Sequence, residues 1–261
     1  MTCSKTEIDK SSYLQYNLTG LSSLTLKDLK DYSVEHDCIS GISLSNDLKT
    51  LTVYLNKGII YDENKDAIEQ YVNYLFLNLL IKTEVCFNHP TIHLQVIKDG
   101  SGKSFTLSDS LTMSGSLNIV RSIKADSIYN KIMPLKDEYN YNFFKYTRII
   151  STLNNSNLIV QFMSLYQYLM ELLSEQKNRI EQINVVNYFK NNKDKYPFIE
   201  FKKTRRPGKS FEEDSFTYMR NEIGHIENSD DIDLYKRMGK NIDQQTIKNL
   251  VCVLNDVIMN K

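Results

Sequence analysis

The spacing of apolar residues changes along this 261-residue chain, and this change constrains the fold more than any other feature. Before Pro134, segments such as Tyr13–Leu18 alternate apolar and polar residues, as strands with one buried face do. After it, apolar residues recur every three or four positions, as in Leu158–Leu173, which indicates amphipathic helices. The sequence therefore predicts an α+β protein, with a mixed α/β domain over 1–130 and an all-α domain over 135–261.

The mixed domain combines strand patterns with one helical pattern. Apolar residues at three- and four-residue spacing predict a helix over Asp66–Ile81. The segment Gly100–Ser104 resembles a phosphate-binding loop, but Ile97 stands where that loop needs a glycine, so a hairpin turn is predicted. The predicted strands are Tyr13–Leu18, Leu51–Leu55, Ile92–Ile97, Ser104–Leu107 and Leu117–Val120.

Four or five helices are predicted in the second domain, which begins near residues 125–137. Asn155–Asn157 supplies a capping position before the apolar stripe of the longest helix. Lys190–Gly208 is polar and contains two prolines, so it is predicted to be a loop. The helical patterns cover Tyr139–Leu153, Leu158–Leu173, Ile180–Phe189, Ser210–Ile226 and Gln244–Met259.

The charge balance argues against a polybasic protein that coats nucleic acid, and the apolar runs argue against a membrane-spanning protein. With 32 basic and 32 acidic residues the formal net charge is zero, which argues against a general polybasic coat for nucleic acid but allows a local basic patch. The longest apolar run, Tyr74–Ile81, is far shorter than the roughly 20 residues that a bilayer span needs. The N-terminus lacks the apolar segment of a secretion signal, so no membrane association is expected.

Cysteine and histidine spacing gives no sign of a disulfide framework or a metal site. The four cysteines form no CxxC pair, which predicts reduced thiols in a cytoplasmic protein. Cys86, His89 and His93 are loosely spaced and lack a fourth ligand nearby, and His36 with Cys38 has the same weakness. No metal and no cofactor are therefore expected.

One segment late in the second domain contains residue types that are common in catalytic sites. It reads YMRNEIGH from Tyr218 to His225 and contains Arg220 and Asn221. Residues four apart share a helix face, so Asn221 and His225 point the same way, and the long Arg220 side chain can reach the same place. Arginine holds two phosphate oxygens in its planar fork, and histidine exchanges a proton near neutral pH. These residue types suit phosphodiester cleavage, with the asparagine either donating to the phosphate or orienting the histidine.

This arginine, the amide directly after it and the histidine resemble the Rx4-6H motif of the HEPN superfamily, over about residues 138–261. The resemblance implies a metal-independent endoribonuclease of antiviral defence (abortive infection) or of a toxin, in which the 2′-hydroxyl of RNA attacks the phosphate. It implies that Arg220 stabilises the phosphate, that Asn221 is a polar accessory residue and that His225 is the general acid or base. It also implies a homodimer formed through the helical domain.

A basic run just before the motif is the candidate RNA-binding segment, because its charge can guide RNA toward the site. The run comprises Lys202, Lys203, Arg205, Arg206 and Lys209. Such a run can instead be a solvated loop. The N-terminal domain is expected to sense a trigger or to regulate the nuclease, and the trigger could be a phage protein, a nucleotide or a partner chain. One alternative is a non-catalytic module for dimerisation or nucleotide binding; another is a structural motif with Arg220 in a surface ion pair.

Overall fold

The chain forms two compact units, Met1–Tyr141 and Asn142–Lys261, which are taken in turn below. The predicted boundary near 125–137 lies before this division, because a helix at Ala125–Ile132 packs with the first unit: its Tyr129 hydroxyl accepts a hydrogen bond from Leu44 N (2.5 Å). The structure, a computed structural model, describes residues 8–18, 24–83, 91–99, 102–107, 121–133, 143–174, 179–204, 211–226 and 242–260.

A six-stranded antiparallel sheet is the centre of the first unit. The strands of this unit are β1 (Tyr13–Asn17), β2 (Leu24–Lys27), β3 (Tyr32–Ser33), β4 (Ile39–Leu44), β5 (Thr50–Leu55), β6 (Thr91–Asp99), β7 (Gly102–Leu107) and β8 (Arg121–Lys124). The sheet has the order β3-β4-β5-β1-β6-β7, and β2 and β8 form a separate parallel pair. Along β1, buried residues alternate with half-buried ones, so one face of the sheet supplies the core.

Four predicted strands are confirmed as β1, β5, β6 and β7, while the predicted strand Leu117–Val120 lies outside the described residues. Asp99 pairs with Gly102 across β6 and β7, so the predicted hairpin is confirmed. Strand β4 escaped prediction because Gly41, at a shift in the strand register, interrupts the alternation of apolar and polar residues in ISGISL.

Two helices cover the core face of this sheet. Helix α1 (Tyr61–Lys82) confirms the predicted helix but begins five residues earlier, with Asp62 and Glu63 in its first turn, where acidic side chains favour the helix dipole. Helix α2 (Ala125–Ile132) was not predicted, since it spans only about two turns. The buried Asn78 of α1 donates to the carbonyl of Ile132 (3.0 Å) and joins the two helices.

The described part of the second unit is mainly helical. Its helices are α3 (Phe143–Leu153), α4 (Leu158–Ser174), α5 (Gln182–Asn191), α6 (Ser215–Ile226) and α7 (Gln244–Met259). The predicted cap before α4 is confirmed, because Asn157 Oδ1 accepts a hydrogen bond from Ile159 N (2.9 Å). Among the helices described in the two units, none is both long and apolar enough to cross a bilayer.

The prediction that the second domain is all-α is wrong, because a two-stranded antiparallel hairpin precedes α6. Strand β9 (Phe201–Lys203) lies in the predicted loop Lys190–Gly208, and β10 (Glu212–Asp214) lies where a helix from Ser210 was predicted. These short strands carry charged side chains and lack an apolar alternation, so the pattern rules did not detect them. The hairpin bears on the position of the motif because β10 ends at Asp214 and α6, which contains the motif, begins at the next residue.

Candidate functional site

Helix α6 begins at a buried carboxylate. Asp214 has no exposed surface (0%), and its Oδ1 accepts hydrogen bonds from Phe216 N (3.1 Å) and Thr217 N (2.9 Å). This is the N-cap arrangement, which satisfies backbone donors that have no partner within the helix. Its Oδ2 accepts from Thr217 Oγ1 (2.5 Å), which also contacts the hydroxyl of Tyr166 (2.7 Å). Burial raises the pKa of Asp214 even though these hydrogen bonds favour its ionised form.

Asn221 lies further along α6, and both ends of its amide are bonded. Its Nδ2 donates to Oε1 of Glu213 (3.1 Å), a carboxylate on β10 that is only 2% exposed. Its Oδ1 accepts from Gln182 Nε2 on α5 (2.8 Å) and from Arg220 Nη1 (3.4 Å). The asparagine therefore connects β10, α5 and the arginine of its own helix.

The Arg220 side chain extends along α6 toward the turn that contains residue 225. Its Nη1 lies 3.6 Å from the place that a Cβ on Gly224 would occupy. Within the described ranges no carboxylate forms a salt bridge with Arg220, so the surface ion pair of the structural alternative is not found there. The backbone at His225 is helical, one turn after Asn221 on the same face, whereas the His225 side chain is outside the described part.

The hairpin brings part of the predicted RNA-binding run to the motif helix. Lys202 Nζ lies 5.7 Å from the ring centroid of Tyr218, within the range of a cation–π contact. Lys203 is exposed and pairs in register with Glu212. Arg205, Arg206 and Lys209 were predicted to bind RNA as well, and they lie outside the described residues.

Among the described residues, no group of three or more His, Cys, Asp and Glu side chains is placed to hold a metal ion. His36 and Cys38 are neighbours, with Cys38 N donating to His36 Nδ1 (3.1 Å). Burial raises the pKa of the Cys38 thiol and lowers the pKa of the His36 imidazole, so burial disfavours the charged form of each. Their contact lies directly before β4. Cys86, His89 and the His93 side chain lie outside the described part.

Sequence patterns missed three residues that shape the site: Glu213, Asp214 and Gln182. The N-cap had a usable signal, because an aspartate directly before a helical pattern is a typical start. Glu213 and Gln182 had none, since they reach Asn221 from 8 and 39 residues away in the chain. Their placement depends on how the hairpin and α5 pack against α6.

No family model, no curated protein and no solved structure matches this chain. The chemistry of the site itself therefore indicates what it can bind. It brings together a cation directed toward a histidine position, an amide held in one orientation, and a lysine beside an aromatic ring. A guanidinium on α6 and an ammonium group beside Tyr218 of the same helix are both groups that bind phosphate.

Proposed function

We propose that the second unit is a HEPN-type helical domain that cleaves RNA without a metal ion, with Arg220, Asn221 and His225 at its site. The observation that carries this proposal is the direction of Arg220, whose guanidinium lies near Gly224, the residue that precedes the histidine. The guanidinium then lies beside the turn of α6 that contains residue 225. The Rx4-6H resemblance of this segment supports the same function.

In the proposed reaction the 2′-hydroxyl oxygen of the RNA forms a bond to phosphorus, and the bond from phosphorus to the 5′ oxygen breaks. His225 either takes the proton of the 2′-hydroxyl or supplies one to the departing 5′ oxygen. Arg220 stabilises the extra negative charge on the phosphate oxygens in the transition state. The products are a 2′,3′-cyclic phosphate and a 5′-hydroxyl, and no cofactor takes part.

RNA would approach along the basic run. Lys202 supports this route, because its ammonium group lies beside Tyr218, which is one helical repeat of seven residues before His225 and on the same face. An aromatic ring with a neighbouring cation suits a base and its phosphate. Lys203, Arg205, Arg206 and Lys209 would add charge that attracts the backbone, with little preference for sequence.

We further propose a homodimer formed through the helical domain. Ile180 and Ile183, which flank the Gln182 that contacts Asn221, are 53% and 46% exposed. An apolar surface beside a polar site is a typical place for a partner to bind, and a second copy there would bring two motif helices together. The N-terminal unit would sense a phage-derived or nucleotide trigger, in a cytoplasmic defence or toxin protein.

The experiment is incubation of the full chain with total RNA in EDTA, followed by analysis of the product ends. We expect the wild type to leave cyclic phosphates, and we expect His225→Ala and Arg220→Ala to abolish cleavage while keeping the fold and the oligomeric state. Lys193→Ala, an exposed lysine outside the basic run, is the matched control and should cleave like the wild type.

Two results would reject the proposal. Cleavage by His225→Ala at the wild-type rate would show that the motif is not the nuclease site. Absence of cleavage by the wild type at every trigger tested, together with a loss of stability in His225→Ala, would favour the non-catalytic module for dimerisation or nucleotide binding.

A further inference from the structure

Asn221 cannot act freely on a substrate, because its amide oxygen is committed within the protein. A side-chain carbonyl oxygen has two lone pairs, and Gln182 and Arg220 both donate to the oxygen of Asn221. The amide nitrogen donates one of its two hydrogens to Glu213. This arrangement favours a role for Asn221 in holding the arginine over a role in binding phosphate.

Glu213 decides which way this amide faces. Oε1 of Glu213 accepts hydrogen bonds from both Asn221 Nδ2 and Thr204 Oγ1, so the NH2 group of Asn221 faces Glu213 and its oxygen faces Arg220. In the reversed orientation the NH2 group would face the donors of Gln182 and Arg220, and the oxygen would face a carboxylate. Each of those contacts is repulsive, so Glu213 selects one of the two orientations.

Glu213 is itself held in place. Its side chain is 2% exposed, and Thr204 Oγ1 donates to the same Oε1 that Asn221 contacts (3.0 Å). A buried carboxylate with fixed donors gives the amide a rigid anchor on the hairpin rather than on α6 itself.

We propose that Glu213 is a positioning residue for the nuclease site: its carboxylate orients Asn221, and Asn221 in turn holds Arg220 toward the substrate phosphate. This inference rests on the proposed ribonuclease function. It assigns a role to the β9–β10 hairpin, which presents the anchor to the motif helix, and it places Glu213 outside direct contact with RNA.

The kinetic test uses full-length Glu213→Ala and Glu213→Gln. Because Arg220 would act on the transition state, Glu213→Ala should lower kcat about 100-fold and leave KM within about threefold. Glu213→Gln should retain most of the activity, since its amide oxygen can still accept from Asn221 and Thr204. The matched control is Glu212→Gln, the exposed neighbour on the same strand, which should match the wild type.

A double-mutant cycle separates positioning from a general loss of structure. Asn221→Ala should lower kcat as much as Glu213→Ala does, and the double variant should lose no more than about threefold beyond either single variant. Losses that multiply in the double variant would overturn the inference, as would a Glu213→Ala variant that stays folded with the wild-type kcat.

A measurement that needs no RNA keeps the inference testable if Glu213→Ala does not fold or if the wild type proves not to be a nuclease. The side-chain amide signal of Asn221, assigned with Asn221→Ala, should exchange slowly with solvent. It should shift in Glu213→Gln and stay in place in Glu212→Gln. Exchange as fast as that of an exposed amide would overturn the positioning role, whatever the chain does to RNA.

Discussion

The two units bury different kinds of polar group. In the described part of the first unit the buried polar side chains are neutral, namely Ser12, Ser40, Thr52, Asn78 and Thr83. The described part of the second unit buries two acidic side chains, Glu213 and Asp214, and the residue Lys248. Burial of a charge lowers stability unless hydrogen bonds or opposite charges compensate, so buried charges indicate where a fold maintains something besides its own stability.

Both carboxylates lie on β10, and both act on α6. Asp214 caps the helix through Phe216 and Thr217, while Glu213 fixes Asn221. The first unit has no counterpart among its described residues: its core is an apolar contact between the sheet, α1 and α2. The first unit is therefore stabilised mainly by apolar packing, whereas the second buries carboxylates at some cost in stability and so holds α6 in a defined position.

The largest effect on stability is expected for Asp214→Ala. Loss of the cap and of the bond to Thr217 leaves buried donors without partners, so the free energy of unfolding should fall by about 2–3 kcal/mol. Urea unfolding followed by circular dichroism measures this, since the chain has no tryptophan. Asp243→Ala, the exposed cap of α7, is the matched control, with an expected loss of about 1 kcal/mol. Equal losses of unfolding free energy in the two variants would show that the buried cap on β10 stabilises the fold no more than an exposed cap does.

A smaller effect is expected in the first unit for Asn78→Leu. This change keeps the number and branching of the side-chain heavy atoms but removes the donor to the buried Ile132 carbonyl, so the free energy of unfolding should fall by about 1–2 kcal/mol. Because asparagine does not titrate, the loss should be the same at acidic and at neutral pH. A pH-dependent loss would contradict the view that only neutral groups are buried there. The half-buried Asn73 on the same helix is the control position.

Gly224→Ala should raise stability slightly. A glycine inside a helix costs about 0.5–1 kcal/mol relative to alanine, and the new Cβ would meet Arg220 Nη1 at 3.6 Å, an ordinary van der Waals distance. The free energy of unfolding should therefore increase by up to about 1 kcal/mol. A decrease in the free energy of unfolding would show that the added Cβ displaces the Arg220 side chain despite the distance of 3.6 Å.

The pH dependence of Asp214 should have the opposite sign to that of an ion-paired acid. Burial raises its pKa above the ordinary value of 3.8, so the folded chain holds this proton more tightly than the unfolded chain. Its contribution to stability is full below the ordinary value and is lost as the pH rises through the raised pKa. As the pH rises from acidic to neutral, the free energy of unfolding of Asp214→Asn should therefore increase relative to that of the wild type. A difference in urea midpoints that stays constant with pH would contradict this.

For acids whose pKa is lowered, the stability contribution is instead lost as the pH falls. Arg148 lowers the pKa of Glu171 in this way, so Glu171→Gln is the natural comparison in the same pH series. Its loss of stability relative to the wild type should be seen at neutral pH and should disappear in acid. Trends of the same sign for both variants would contradict the assignment of causes.

Sequence patterns predicted elements whose apolar residues keep a regular spacing in the sequence. Strand β1 alternates buried and half-buried residues, and α7 buries residues at three- and four-residue spacing, among them Ile247, Leu250, Val251 and Leu254. Patterns failed for β9 and β10, whose charged residues are stabilised by pairing with each other and by contacts with α6. A local period cannot report stabilisation that comes from another element.

The motif itself could be found from the sequence, since Arg220, Asn221 and His225 are close together in the chain. Its surroundings could not, because the position of Glu213 depends on a hairpin that carries no apolar pattern. The interpretation of Asn221 also needed the structure: its sequence position allowed a contact to phosphate or to the histidine, whereas its amide oxygen accepts from Arg220 and Gln182.

The most direct test of the central claim is cleavage of an RNA oligonucleotide in EDTA, compared with the same oligonucleotide carrying 2′-deoxyribose at the cleaved nucleotide. The account predicts that the wild type cleaves the first and leaves a 2′,3′-cyclic phosphate, that the deoxy substrate stays intact, and that Arg220→Ala cleaves neither. Cleavage of the deoxy substrate, or an absolute requirement for a divalent metal, would contradict the account.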